Sequence, residues 1–506
     1  MNEKSEADRN DPLRHTDEFS NDLRRKSVRA GAAVIAGQIV LNALNLVAMM
    51  ILARLLTPTD FGLVAMVLVI LGSAVMFRDL GLTAATIQRR DIDLGTINSL
   101  FWVNLGMGAL LTAVLFLLAP AVVYLYDQPE LLRITQALAF VSLIDGVAVQ
   151  HQAIVRRQLR LGTLTKIEVL AAVVGLGSAI MLAYHDFGYW ALVAMQLIQI
   201  SIRSALCWVA TGWRPTPAFR FVDIRSLVTF GGYITGARFL NNLTKLVDKV
   251  LIGIFTSAEQ LGIYSKAYNA VLLPADRVNM ASSRVALPTL SRLQDDPYRF
   301  RAYYRKAVML LTTVSFPVIA LLFLEAKSAI LIVLGNQWLF AVPLIQILAP
   351  VAAITIVTMT LRWVLVSLGL RNRLLRWQSI ESAIKIVGIA IGIPWGSIGV
   401  AYSLLISSAA LLIPSLWFCF QTTDVRQSDV FAAVWRPAVA SLIALLLITV
   451  VEPLDASNLH VVARLATIAA LYFAMYLATW LILPNGRGVL VEMLALTRDL
   501  RTAPRT

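Results

Sequence analysis

A face of charged and amide side chains runs along one apolar segment near the middle of the chain. Spacings of three, four and seven residues put its members on one side of a helix: Arg238, Asn241, Asn242, Lys245 and Lys249, with Asp248 beside them. A charge at the centre of a bilayer costs roughly 2.5–3.5 kcal/mol on insertion scales, so this face predicts a hydrated cavity or a partner. The surplus of cations favours an anionic ligand. The alternative is an ion cluster that ties helices together, with Lys249 extending to the membrane surface.

Other apolar segments also carry polar side chains at helical spacing. We assign to substrate binding the amides and the arginine of two such stripes, and one tyrosine among polar residues: Asn42, Asn45, Gln199, Arg203 and Tyr268. Glu381 and Lys385 form an i,i+4 pair, and together with Asp248 we assign them a coupling or structural role. Singly, each polar residue also fits an interhelical hydrogen bond, and the tyrosine fits an interface belt. Together they predict a wide polar lumen.

The composition is that of a membrane protein. Of the 506 residues, 58% are hydrophobic and 15% are charged, and the mean hydropathy is +0.73. Apolar runs of about twenty residues, the length that crosses a bilayer, recur along the whole chain. Hydropathy predicts about fourteen spans, the seventh centred near Ile234. Because lipid leaves backbone groups unsatisfied in any open structure, these spans must be helices, which predicts an all-α polytopic membrane protein.

The positive charge of the chain is arranged by loop. The formal net charge is +14. With the amino terminus inside, basic clusters such as Arg24–Lys26, Arg156–Arg160 and Arg371–Arg376 all fall on the cytoplasmic side. The positive-inside rule therefore predicts a multi-pass protein with both termini in the cytoplasm. It also accounts for the charge without a nucleic-acid partner.

The sequence nominates no catalytic or cofactor-binding constellation. The four histidines are scattered without the spacing of metal ligands. A phosphate-binding glycine loop, a zinc-protease motif and a catalytic triad are equally absent from the sequence pattern. We therefore expect no cofactor and no enzyme activity. Transport energy would come from a gradient of H⁺ or Na⁺, from the membrane potential, or from the gradient of the substrate itself.

Two stretches about half the chain apart share one pattern, a polar stripe in an apolar helix followed by a short turn. Gly37–Gly62 matches Gly236–Gly262 at a shift of 199, which pairs Asp60 with Glu259; one inserted residue then aligns the final glycines. The second copy begins an even number of spans later, so both copies have the same orientation. This predicts the parallel repeat of a transporter, although chance alignment of apolar helices can produce a similar match.

The predicted domain organisation follows from this repeat. Two six-helix bundles are joined by a cytoplasmic linker, and two further helices follow. The predicted parts are a disordered cytoplasmic tail at 1–27, the N-terminal bundle at 28–211, the linker at 212–225, the C-terminal bundle at 226–421, two extra transmembrane helices at 430–483, and an amphipathic cytoplasmic tail at 484–506.

Six short motifs, in order and at their spacing, carry a resemblance to a known family. They are Ala53-Arg-Leu-Leu-Thr-Pro-Thr-Asp-Phe-Gly-Leu, Phe77-Arg-Asp-Leu-Gly-Leu, Ile87-Gln-Arg-Arg-Asp, Asp248-Lys-Val-Leu-Ile-Gly, Leu261-Gly-Ile-Tyr-Ser-Lys-Ala-Tyr and Leu287-Pro-Thr-Leu-Ser-Arg-Leu-Gln-Asp-Asp. From Ser27 to Leu483 the chain resembles the Wzx-like lipid-linked oligosaccharide flippases of the multidrug/oligosaccharidyl-lipid/polysaccharide exporter superfamily. It looks most similar to the colanic-acid and exopolysaccharide branch.

The resemblance implies a MATE-like, two-bundle, alternating-access fold with a cationic cavity, for which Arg238, Lys245 and Lys249 are candidates. It implies that undecaprenyl pyrophosphate bearing a sugar repeat unit moves from the cytoplasmic to the periplasmic leaflet of the bacterial inner membrane. The product would be exopolysaccharide, capsule or O-antigen, with polymerase and chain-length-control proteins as candidate partners. Two alternatives stay open: a cation-coupled multidrug exporter of the same superfamily, whose cavity should be acidic or apolar, and a membrane enzyme of polysaccharide assembly.

Overall fold

The computed structural model describes residues 23–79, 83, 86, 93–217, 246–451, 461–484 and 486–488. Within these ranges the regular structure is helical, and no strand occurs in them. Ten helical stretches among the described residues are long and apolar enough to cross a membrane. The prediction of an all-α polytopic membrane protein is therefore confirmed.

By its internal contacts the chain divides into two units, Met1–Gly262 and Ile263–Thr506. The first contains α1 (Leu23–Leu55), α2 (Pro58–Asp79), α3 (Leu94–Tyr126), α4 (Leu131–Arg157), α5 (Leu161–Tyr184), α6 (Trp190–Thr211) and α7 (246–255). Helix α8 (Ala258–Arg292) begins in the first unit and continues into the second. The second unit also contains α9 (Pro297–Leu324), α10 (Ala326–Val333), α11 (Ala341–Ser367), α12 (Arg371–Gly392), α13 (Gly396–Phe420), α14 (Gln427–Val451) and α15 (Val461–Ile482).

The seventh predicted span centre, Ile234, lies outside the described residues. The other predicted centres each lie inside a described helix: Leu44, Leu68, Leu110, Leu138, Val174, Val193, Leu272, Thr313, Ile354, Ile386, Ile406, Leu445 and Ala474. The division after Gly262 differs from the predicted linker at 212–225. That linker and the two tails fall partly or wholly outside the described residues. The predicted domain boundaries therefore stay predictions.

In the first unit, α4 packs against α2, α3 and α6, and α5 packs against α1 and α6. A close crossing joins α3 and α4 at two glycines. A Cβ on Gly108 would lie 2.7 Å from the carbonyl oxygen of Ser142, and a Cβ on Gly146 would lie 2.9 Å from that of Asn104. Lipid gives membrane helices no hydrophobic drive to associate, so small residues that permit close packing hold such crossings together.

The repeated motif starts α2 and α8 with the same kind of cap. The Thr57 hydroxyl accepts the backbone N–H of Asp60 at 3.2 Å, and the Asp60 carboxylate accepts the backbone N–H of Thr57 at 2.9 Å, a capping box. At α8 the Ser257 hydroxyl accepts the backbone N–H of Gln260 at 3.2 Å. The caps therefore pair Asp60 with Gln260. The predicted pairing with Glu259 is wrong by one residue, because the inserted residue precedes the cap.

The first turns of α2 and α8 approach each other backbone to backbone within the first unit. A Cβ on Gly62 would overlap the carbonyl oxygen of Ala258. A Cβ on Gly262 would overlap the carbonyl oxygen of Pro58 and lie 3.1 Å from the backbone nitrogen of Gly62. Only a residue without a side chain fits at either position. The two glycines that the sequence aligned are thus direct neighbours.

The chain that follows α6 is held against the first unit. Trp213 is 4% exposed and packs into a buried cluster on α3 and α4. The amide of Asn98 donates to the Thr216 hydroxyl at 2.7 Å and accepts the Thr216 backbone N–H at 3.2 Å. Trp102 donates its Nε1 hydrogen to the Thr216 carbonyl at 2.9 Å. The first residues of the predicted linker are therefore part of the packed structure of this unit.

In the second unit, α11 packs against α9 and α13, α12 packs against α13, and the last two helices attach through α9. Arg301 of α9 meets Asp429 of α14 in a two-point contact, Nε to Oδ2 at 2.9 Å and Nη2 to Oδ1 at 3.1 Å. Asp429 is 4% exposed and also accepts the backbone N–H of Arg426 at 2.9 Å. Because a guanidinium fork on a carboxylate is a strong polar contact, this pair fastens α14 to α9.

We expect Asp429→Ala to lower the stability of the detergent-solubilised protein by about 3 kcal/mol, the lower end of the range for removing one partner of a buried ion pair, because the Arg301 side chain is 33% exposed. The measurement is tryptophan fluorescence during unfolding. Asp295→Ala is the matched control, because Asp295 is an exposed acid on the same unit and should change stability little. Equal losses in both variants would show that the pair does not fasten α14.

Candidate functional site

The polar face predicted in the seventh span is described only where it ends. Four of its residues lie outside the described residues: Arg238, Asn241, Asn242 and Lys245. Their binding roles therefore stay predictions. On α7, Asp248 is 3% exposed and Lys249 is half-buried, and the Asp248 carboxylate accepts the backbone N–H of Lys249 at 2.8 Å. The Asp248 carboxylate is thus enclosed by protein.

The predicted amides of α1 lie on a helix that is little covered by its neighbours. Asn42 is half-buried and Asn45 is exposed. The amide of Gln38 donates to the Asn42 side-chain oxygen at 3.3 Å, so the stripe is partly bonded along its own helix. An amide in hydrocarbon loses its hydrogen bonds to water, so the exposed Asn45 favours a hydrated side of α1.

Arg203 of α6 is paired with an acid of α4. Its Nη2 donates to Asp145 Oδ1 at 2.8 Å, and Gln152 donates to the same oxygen at 3.3 Å. The side chains of Arg203 and Asp145 are 31% and 7% exposed. Gln199 is half-buried, and its Cβ would lie 3.1 Å from a Cβ on Gly175, so it packs against α5. Both predicted binding residues therefore make contacts between helices of the first unit.

Glu381 and Lys385 lie in a cleft within the second unit. Lys385 Nζ donates to Glu381 Oε1 at 2.6 Å. The cleft contains about 250 Å³ of atom-free space, including the part open to solvent. Its polar lining comes from α11, α12 and α13: Thr355, Thr358, Glu381, Lys385, Ser408 and Ser415. A charged pair in a cleft lined by hydroxyl groups can bind water or exchange a proton.

Tyr268 is half-buried on α8. Its ring centroid lies 6.0 Å from that of Tyr264, which is fully buried. Aromatic pairs at such distances contribute to packing. Contact of Tyr268 with a sugar therefore stays a prediction.

The structure adds an exposed basic face whose residues were not assigned to substrate binding from the sequence. Arg277 and Arg284 are exposed on α8 and lie seven residues apart, so they share one side of that helix. Arg362 is exposed on α11. The next residue, Trp363, donates its Nε1 hydrogen to the hydroxyl of Ser283 at 2.8 Å, which joins the two helices beside Arg284 and Arg362. Arg277, Arg284 and Arg362 are called the basic face below.

The basic face presents three guanidinium groups on an exposed surface. An arginine at the centre of a bilayer costs roughly 2.5–3.5 kcal/mol on insertion scales, so Arg362, exposed on the apolar helix α11, indicates a hydrated surface. The planar guanidinium group binds phosphate oxygens through two parallel hydrogen bonds. The basic face is therefore a candidate surface for a phosphate-bearing ligand. The basic face could have been predicted from the sequence, because the seven-residue spacing of Arg277 and Arg284 places them on one side of a helix.

Among the described residues, no group of three or more His, Cys, Asp or Glu side chains is placed to hold a metal ion. The expectation that the protein needs no cofactor stays a prediction.

The helices and their polar sites are those of a multi-pass membrane transporter. The structure is similar to that of the lipid II flippase MurJ in its inward closed conformation, with a TM-score of 0.71, 11% identity, and coverage of 89% of this chain and 98% of that chain. It is also similar to an inward-facing multidrug resistance MATE family transporter of the MOP superfamily, with a TM-score of 0.57, 13% identity, and coverage of 74% and 93%. The predicted MATE-like fold is confirmed.

The chain belongs to the polysaccharide biosynthesis protein family, whose model matches residues 51–343. It is 28% identical over 471 residues to the succinoglycan biosynthesis transport protein ExoT of Rhizobium meliloti (strain 1021), covering 91% of this chain and 94% of ExoT. The resemblance to Wzx-like polysaccharide exporters, seen in six short motifs, is thereby confirmed over nearly the whole chain.

Proposed function

We propose that this protein moves undecaprenyl-pyrophosphate-linked oligosaccharide repeat units from the cytoplasmic to the periplasmic leaflet of the bacterial inner membrane. The exported units would serve exopolysaccharide, capsule or O-antigen synthesis. Membership of the polysaccharide biosynthesis family and the similarity to ExoT support this substrate class. The basic face of Arg277, Arg284 and Arg362 is the observation that carries the proposal, because it suits the pyrophosphate group.

The chemistry of the substrate explains why a protein is required. Each sugar hydroxyl taken into hydrocarbon without a partner costs roughly 2–7 kcal/mol, so a repeat unit with many hydroxyls cannot cross unaided. A hydrated, cationic cavity lets the head group pass while the polyprenyl tail stays in lipid. Arginines hold the pyrophosphate by charge-assisted hydrogen bonds, and side-chain amides bond to the sugars.

Translocation proceeds by alternating access, driven by an ion gradient and without a chemical reaction on the substrate. Both termini lie in the cytoplasm, in accord with the basic loops of that side. The lipid bilayer is the first partner of the protein. Polymerase and chain-length-control proteins of the same export pathway are further partners in this proposal.

A cation-coupled multidrug exporter is the second candidate, and the similarity to a MATE family transporter favours it. A cationic drug would be repelled by an exposed surface that carries three arginines. The basic face therefore favours the lipid-linked, anionic substrate over this candidate.

The test is a strain that lacks the gene for this protein. We expect the strain to lose its surface polysaccharide and to accumulate the lipid-linked repeat unit on the cytoplasmic leaflet, with both defects reversed by the full-length protein. Normal polymer together with new sensitivity to cationic dyes would overturn the proposal in favour of a drug exporter.

A further inference from the structure

The ion pair of Glu381 and Lys385 differs from two other pairs of the protein in what it connects. The pair at Arg203 joins α4 to α6, and the pair at Arg301 joins α9 to α14, so each fastens two helices. Glu381 and Lys385 both belong to α12 and are bonded at 2.6 Å across one turn. Among the described residues, their pair fastens no helix to another. Burying charge in a bilayer is costly, so charges that do not serve packing indicate a functional role.

Glu381 is the single acid of α11, α12 and α13, the three described helices that line the cleft. Helix α13 carries no charged residue. The titratable groups of α13 are the Cys419 thiol and the Tyr402 phenol. The remaining charges of the three helices are all basic: Arg362, Arg371, Arg373, Arg376 and Lys385. A metal ion needs several oxygen ligands, but these helices offer it one carboxylate, which is already paired with an ammonium group. A proton needs only one carboxylate oxygen, so the site suits a proton better than a metal ion.

The hydroxyl groups of the cleft are arranged as hydrogen-bond acceptors. Thr355 donates its hydrogen to the carbonyl of Val351 at 2.7 Å, and Ser415 donates to that of Leu412 at 2.7 Å. Their oxygen lone pairs remain available to a donor. The buried Ser408 hydroxyl has no hydrogen-bond partner among the described residues. The cleft therefore offers acceptors on both sides of α12.

Lys385 is the donor that matches these acceptors. An ammonium group has three hydrogens, and Glu381 Oε1 accepts one of them. If Glu381 gains a proton, its carboxyl group becomes neutral and the ammonium group loses its counter-charge. The hydroxyl oxygens of Thr355, Ser408 and Ser415 are then the acceptors within the same cleft. Such a change of partner would draw α12 toward α11 and α13.

We propose, on the basis of the transport function proposed above, that Glu381 binds and releases one proton in each transport cycle and that Lys385 exchanges its carboxylate partner for the cleft hydroxyls. A hydronium ion on one side of the membrane gives its proton to a Glu381 oxygen and becomes water. On the other side a water molecule takes the proton back. The proton gradient thereby drives the change in helix packing that accompanies translocation.

The test uses spheroplasts of the deletion strain carrying the full-length protein at matched amounts. A sugar-labelling reagent that cannot cross the membrane is added outside the cells. The readout is the fraction of the lipid-linked repeat unit that becomes labelled, which is the fraction on the periplasmic leaflet. We expect this fraction to vary with external pH for the unchanged protein and to be independent of sodium. Glu381→Gln, which mimics the protonated carboxyl, should lower it by about tenfold, within the range of coupled equilibria, and remove the pH dependence.

Two further variants keep the test decisive if Glu381→Gln fails to reach the membrane. Glu381→Asp keeps the carboxylate and should restore the pH dependence, whereas Lys385→Met should remove it. Asp429→Asn alters the ion pair between α9 and α14 and is the matched control; it should keep the pH profile of the unchanged protein at any protein amount. These three results together would support the proton role of Glu381.

The outcome that overturns the proton role is a Glu381→Gln or Lys385→Met variant with the pH profile of the unchanged protein. Translocation by the unchanged protein that follows sodium and ignores pH would overturn it too. Either result leaves the flippase function intact as long as the full-length protein restores surface polysaccharide. A deletion strain with normal surface polysaccharide would instead remove the proposed function itself.

Discussion

Replacing Arg277 and Arg284 together by alanine is expected to reduce polysaccharide export at least about a hundredfold. Each guanidinium group would lose a hydrogen bond to a charged ligand, worth roughly 1.5–3 kcal/mol, and every 1.4 kcal/mol is about tenfold. The measurement is surface polysaccharide in the deletion strain, together with the lipid-linked unit that stays on the cytoplasmic leaflet. Both arginines are exposed on one side of α8, so their removal leaves no buried cavity.

Two variants sharpen this experiment. Arg292→Ala removes an exposed arginine at the end of the same helix and should leave export nearly unchanged. Replacing both Arg277 and Arg284 by lysine keeps the positive charge but loses the planar guanidinium group. This variant should therefore export more polysaccharide than the double alanine variant and less than the unchanged protein. Full export by the double alanine variant at normal protein levels would exclude the basic face as the pyrophosphate site.

Asp145→Ala is expected to destabilise the first unit by about 3 kcal/mol, the lower end of the range for removing one partner of a buried ion pair. The lower end applies because the Arg203 side chain is 31% exposed and keeps some contact with solvent. The loss should be visible as a reduced amount of protein in the membrane and as unfolding at lower denaturant concentration.

The matched variant removes both charges of this pair. Asp145→Ala combined with Arg203→Met leaves no uncompensated arginine and should recover most of the lost stability. A double variant as unstable as the single one would show that the instability has another origin. Export by the stable double variant then tests the predicted substrate role of Arg203 separately from its packing role.

Local patterns in the sequence predicted local features of the structure. Hydropathy located the helices because each span is a continuous apolar run. The contact of Glu381 with Lys385 was predictable because residues four apart on a helix are neighbours. The repeat was visible as well, yet its alignment at Asp60 was wrong by one residue, because apolar helices align equally well in neighbouring registers.

Contacts between distant positions could not be predicted in the same way. Asp145 and Arg203 lie 58 positions apart, and no pattern in a single sequence links them. The exposure of Arg284 depends on which side of α8 its neighbours leave open, and that is decided by packing rather than by spacing. The binding roles of Arg238, Asn241 and Lys245 still rest on spacing alone, and they are the next residues to mutate.

The contact between Gly62 and Gly262 limits which residues the two matched stretches can carry at these positions. The two caps that precede these glycines differ, with Thr57 and an acid in one and Ser257 and Gln260 in the other, because either hydroxyl accepts the same backbone hydrogen. The glycines do not differ, because a side chain on either one would strike the backbone of the other stretch. Each of the two matched stretches thus restricts which residues the other can carry at its glycine. The two matched stretches therefore differ at their caps and agree at the glycines, where close backbone contact leaves no room for a side chain.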